Sequence, residues 1–163
     1  TITINGFSKA FSMTGWRLGY LSAPEWVVKR IKALQSHTTS NPVSFAQAGA
    51  LAALREKEKS AQALAEMCKR FQERRELIYN RLRKIPGLEV HKPKGAFYIF
   101  PDISKFGHDA MTFAQKLLED QQLAVIPGTP FGAPSHIRLS YACDNETIEK
   151  GCCRLAEFCK SLS

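Results

Sequence analysis

Asn5–Tyr20 reads NGFSKAFSMTGWRLGY, and the reading of the whole chain turns on it. The stretch holds one lysine, Lys9, followed eight residues on by Arg17, with Gly6, Gly15 and Gly19 spaced through it. Thr1–Asn5 alternates polar and apolar residues as a short strand does, and Trp16–Leu21 reads as the next strand. Lys9 is then expected just past the carboxyl end of a strand, where open α/β sheets bind ligands. Phe7, Phe11 and Met13 flank it with apolar surface, and Arg17 adds positive charge nearby. Lysines react with carbonyl groups as neutral amines in such surroundings.

Asn5-Gly6, Ser8-Lys9, Phe11, Met13-Thr14-Gly15-Trp16-Arg17 and Gly19-Tyr20 stand in register with a known signature. The chain resembles the fold-type I pyridoxal-phosphate aminotransferases of the aspartate/aromatic class. The resemblance implies that Lys9 holds pyridoxal 5'-phosphate as a Schiff base. Once the substrate amine has displaced it, Lys9 moves the proton between Cα and the cofactor. It also implies that Arg17 holds the cofactor phosphate. Arg138, within HIRLSYA at 136–142, resembles the family arginine that clamps the substrate α-carboxylate, for which a bidentate guanidinium is strong and directional. Gly95-Ala96-Phe97-Tyr98 resembles a segment that walls the substrate side, and Phe131-Gly132 a loop near the site entrance. Amino acid and 2-oxo acid substrates and a homodimer follow from the same resemblance. The polar loop HTTSNP at 37–42 is placed by it near the dimer interface.

Composition narrows the alternatives. Of the 163 residues 44% are hydrophobic, which supports a packed core over disorder. Net charge is +8, from 23 basic and 15 acidic residues, yet no Lys/Arg block or basic-aromatic stripe appears. Anionic small molecules are therefore expected as partners, and nucleic acid is not. No apolar run has membrane length, so no membrane partner is expected. The five cysteines and four histidines show no zinc-like spacing, and no metal is expected. The odd cysteine count points to a reducing, cytoplasmic setting.

Along the rest of the chain, a helix is expected after Pro24 with Val27, Val28, Ile31 and Leu34 on its apolar face. Ser44 and Gln47 read as a capping box opening a helix to about Leu54. The longest helical pattern runs from Lys57 to about Ile85 and stops at Pro86-Gly87. Strands follow at Leu88–His91, Ala96–Phe100 and His136–Ala142, with a short apolar run at Leu123–Ile126. Helices are expected over about His108–Gln121 and, capped by Asp144, to about Lys160.

The expected fold is α/β: the end of the pyridoxal-phosphate transferase large domain over 1–56, then its α/β small carboxyl-terminal domain over 57–163. The resemblance covers essentially the whole chain but only the carboxyl-terminal half of the family's length. This implies an aminotransferase fragment inactive by itself, with sticky, unpaired strand edges at Thr1–Asn5 and Trp16–Leu21. The same residues also serve two alternatives. One is an aminotransferase-like ligand-sensing domain of a transcription regulator. The other is a related pyridoxal-phosphate lyase or aminocyclopropane-carboxylate synthase.

Overall fold

The first strand, β1 (Thr3–Gly6), turns back on β2 (Gly19–Ser22), and the two pair antiparallel with Thr3 opposite Ser22 and Gly6 opposite Gly19. The structure, a computed structural model, describes residues 1–162. Helices α1 (Glu25–Thr38), α2 (Ser44–Arg55) and α3 (Lys57–Leu82) follow. The chain divides into two compact units, Thr1–Met67 and a second that begins at Cys68. That division falls inside α3.

The first unit is built on a small core. Phe7, Met13, Leu18, Ala46 and Ala50 are buried together, with Phe11 packed against them. Lys9 follows the carboxyl end of β1, as expected, and among the described residues β1 and β2 pair with each other in a two-stranded antiparallel sheet. Each strand thus supplies a partner for one edge of the other. The strand expected from Trp16 starts only at Gly19, because Thr14–Trp16 forms a 3-10 turn that ends on a left-handed Arg17, φ 53° and ψ 50°. Ser44 does not cap α2. Val43 is extended at the N-cap position, which places Ser44 one residue too late, and Gln47 instead donates to the Pro42 carbonyl at 2.8 Å. The expected apolar face of α1 is not a core face: Val27 and Ile31 are half-buried, while Leu34 is 66% exposed.

The second unit holds the larger core. After the end of α3 come β3 (Tyr98–Ile99), α4 (Ala110–Gln121), β4 (Ile126–Pro127), β5 (Ile137–Ser140) and α5 (Asn145–Ser161). The sheet is antiparallel with order β3-β5-β4. Ile137 and Leu139 of β5 face inward, joining Leu82, Ile99, Phe113, Leu117, Leu155 and Phe158, while Arg138 and Ser140 face outward. Asp144 caps α5 as expected, accepting from the Thr147 N–H at 2.8 Å. Asp109 does the same for α4, accepting from Met111 and Thr112.

The strands are shorter than the sequence pattern suggests. Leu88–His91 contributes only a single bridge, Glu89 to Asp102. Ala96 cannot begin a strand because it turns through φ 57°, and Pro101 lacks the N–H that would extend β3. Helix α3 ends at Leu82, and i→i+3 bonds to Lys84 and Ile85 close the chain before Pro86. Among the described residues no helix is long and apolar enough to cross a membrane.

Candidate active site

Lys9 lies on the surface of the β1–β2 connection, above a buried plug of Phe7, Met13 and Leu18. Phe7 packs against Phe11 and Tyr20 with ring centroids 5.4 and 5.2 Å away. Backbone bonds Phe11 N–H to Phe7 O and Ser12 N–H to Lys9 O, at 3.2 and 3.3 Å, fold the lysine's segment into consecutive turns. The next turn is tied back to it, since Thr14 Oγ1 donates to the Ser8 carbonyl at 3.1 Å. Arg17 Nη1 in turn donates to the Thr14 carbonyl at 2.9 Å. These four local bonds together fix where the arginine stands relative to the lysine's loop.

Arg17 borders a cleft of about 600 Å³ within the first unit. Gln35, Thr39 and Asn41 supply neutral polar groups to its lining, and Trp16 and Phe45 form an apolar wall with ring centroids 6.2 Å apart. Gly49 gives Trp16 its room, because a Cβ there would come within 2.6 Å of Trp16 Cζ3. One permanent cation among neutral hydrogen-bonding groups is a donor set that fits a phosphate group.

The second unit contains Arg138. It projects from the outer face of β5, half-buried, opposite Ile126 of β4. Tyr98 pairs with Ser140, so on that outer face Tyr98 and Arg138 are diagonal neighbours. The guanidinium carbon lies 4.5 Å from the Tyr98 ring centroid and 4.6 Å from that of Phe131. Among the described residues no carboxylate pairs with Arg138. The Gly95–Tyr98 segment is held from behind: the buried Tyr141 hydroxyl donates to the Ala96 carbonyl at 3.0 Å, and burial pushes the Tyr141 phenol up.

The structure thus keeps Lys9 and Arg17 in one hairpin connection and gives Arg138 an aromatic setting in the second unit. The contact of Phe131 with Arg138 has no signature in the sequence, since it depends on sheet register and on a turn. Among the described residues no cysteine forms a disulfide, and burial pushes the Cys152 and Cys159 thiols up to about 12, which suits packing groups. Among the described residues no group of three His, Cys, Asp or Glu side chains is placed to hold a metal ion.

A family model described as aminotransferase class I and II matches residues 1–155. A probable aspartate/prephenate aminotransferase of Aquifex aeolicus is 48% identical over 95% of this chain and 40% of its own length. Aromatic-amino-acid aminotransferase 2 of Thermococcus litoralis is 44% identical over 98% of this chain and 41% of its own. The crystal structure of an aromatic aminotransferase from Pyrococcus horikoshii superposes with a TM-score of 0.92 at 42% identity, covering 99% of this chain and 43% of that one.

These matches correct the expectation of a carboxyl-terminal half only. The likeness runs along 95–98% of this chain in the two relatives and 99% in the solved structure, so it belongs to the chain as a whole. The fold is corrected on the same ground. It is an α/β fold matched along nearly its entire length, not merely the end of a large domain with a small domain attached. The chain spans about two fifths of the length of the curated relatives it matches, 40% and 41% in the two named.

Proposed function

The chain belongs to the class I and II aminotransferase family, and from that premise we propose that it serves the transfer of an amino group from an amino acid to a 2-oxo acid. Pyridoxal 5'-phosphate is the cofactor that membership brings. When bound, it supplies the electron sink that makes the Cα–H bond of an amino acid labile. Lys9 Nζ is the anchor for the cofactor and, once released, the base that holds and moves the Cα proton. Arg17 directs its donors at the phosphate from a position set by Thr14. Arg138 takes the substrate α-carboxylate through two parallel N–H bonds and so orients Cα.

One observation carries this reading: a lysine in a turn-locked hairpin connection, whose loop is tied by consecutive hydrogen bonds to an arginine that borders a cleft of about 600 Å³. The relatives bear names citing aspartate, prephenate and aromatic amino acids, and we take α-amino acids with a free carboxylate as the substrate class. A homodimer suits the exposed apolar side chains of the first unit, among them Trp26, Leu34 and Phe45. Cysteines held outside any disulfide suit a cytoplasmic setting.

The test is Lys9→Ala in the holoenzyme. Turnover should fall on the order of 10⁴-fold, the upper range for loss of a positioned proton-transfer group. Borohydride reduction should fix the cofactor on the Lys9 peptide of the unsubstituted protein and on no peptide of the variant. Unchanged kcat in Lys9→Ala would exclude the assignment. Product analysis decides the reaction class, since transamination yields a 2-oxo acid for each amino acid consumed.

A further inference from the structure

We infer that Tyr98 and Phe131 are positioning residues that hold the Arg138 guanidinium by its faces and leave its N–H edge for a carboxylate. The inference rests on the carboxylate role proposed for Arg138 and names what makes that role possible. The two ring centroids lie 4.5 and 4.6 Å from the guanidinium carbon. Tyr98 and Phe131 come from different segments, β3 and the turn at Thr129–Phe131, and each brings its ring to the guanidinium separately.

A guanidinium has five N–H donors, all in its plane. Ring faces attract the cation without using any of those donors. An aspartate or glutamate in the same place would orient the arginine equally well but would neutralise it and occupy the edge a substrate needs. Among the described residues Arg138 has neither an ion pair nor a side-chain hydrogen bond, so its donor edge is uncommitted. Pre-orientation also removes part of the ordering cost of binding.

Each ring is itself fixed. Tyr98 stands on β3 against Phe97, at a centroid distance of 4.5 Å. Phe131 closes a turn whose N–H reaches the Gly128 carbonyl at 2.8 Å, and its ring meets Phe100 edge-on at 6.2 Å. Phe100 is in turn stacked on His136 at 5.0 Å. Phe131 is 50% exposed, so core burial does not account for its position, whereas contact with Arg138 does. Among the described residues the Tyr98 hydroxyl makes no hydrogen bond, which assigns the function to the ring.

The experiment compares 3-phenylpropionate with 3-phenylpropionamide, unreactive probes that differ in the carboxylate, by calorimetry on the holoenzyme. The unsubstituted protein should prefer the acid, and Arg138→Gln should erase the preference. Tyr98→Leu and Phe131→Leu should each cut the preference about five- to twentyfold while leaving amide affinity unchanged. Tyr98→Phe and Phe131→Tyr, which keep the rings, should retain it and serve as controls for folding. If both Leu variants keep the full preference while Arg138→Gln loses it, the aromatic clamp is overturned and the carboxylate role stands. If Tyr98→Phe behaves as Tyr98→Leu, the ring is not the operative group and the clamp falls. If Arg138→Gln keeps the preference, or the unsubstituted holoenzyme has none, the carboxylate role fails and the clamp with it.

Discussion

Arg17 adopts a left-handed backbone, φ 53° and ψ 50°, which costs a residue with a Cβ about 1–2 kcal/mol. Glycine would occupy that position without strain but would lose the guanidinium. Arg17→Gly therefore separates stability from binding. The melting temperature of the cofactor-free variant should stay near that of the unsubstituted protein, because relieved strain offsets the greater freedom of its unfolded chain. Its half-saturation for pyridoxal phosphate, followed by titration, should rise about tenfold or more, as expected for a lost charge-assisted pair. As candidates, Lys9, Arg17 and Arg138 were legible in the sequence, because each lies in a run of residues that resembles a family signature. The left-handed Arg17 was not, since a 3-10 turn of three residues leaves no periodicity to read. The rings beside Arg138 were hidden for another reason: Tyr98 and Arg138 are 40 residues apart and become neighbours only through the register of β3 on β5.

At the scale of elements, the helices stand close to where the sequence placed them, although the apolar spacing in α1 does not mark a core face, and Asp144 caps the last helix as expected. Short strands carry too few residues for alternation to fix their ends, and turns such as the one at Ala96 cut them shorter still. The turn that presents Phe131 depends on Gly128, where a Cβ would lie 2.2 Å from the Ala133 carbonyl oxygen and 2.6 Å from that of His136. Both obstacles are backbone, so Gly128→Ala must displace the turn. It should destabilise the second unit by about 1–3 kcal/mol, as overpacking does, measured by denaturant unfolding.

The helix caps add a pH dependence. Backbone N–H donation from Thr112 holds the Asp109 carboxyl below its ordinary value, and donation from Thr147 does so for Asp144. A depressed folded-state value means these caps stabilise fully above the unfolded carboxylate value of about 3.9 and lose that contribution as pH falls through the folded value. Asp109→Asn and Asp144→Asn should therefore melt below the unsubstituted protein at pH 7. The gap should close as pH falls below the ordinary carboxylate range and through the depressed folded-state values, as thermal melts across pH would show.

The two units of the molecule are unequal in what they bury. Six side chains, Phe11 included, make up the core of the first, whereas the second encloses a continuous cluster from Ile78 to Cys159. Amide hydrogen exchange should accordingly be faster in β1 and β2 than in β5 and α4, because local opening is easiest where fewest apolar groups are enclosed. Uniform protection across both units would contradict that.

The strand order β3-β5-β4 has a consequence for biosynthesis. The middle strand of that sheet is the last of the three to be translated, so β3 and β4 have no partner until residues 137–140 have left the ribosome. Arg138 arrives on that final strand, between neighbours already made. Assembly of its surroundings is thus one of the closing events of vectorial folding, and nascent chains stalled ahead of Ile137 hold both flanking segments without the strand that joins them.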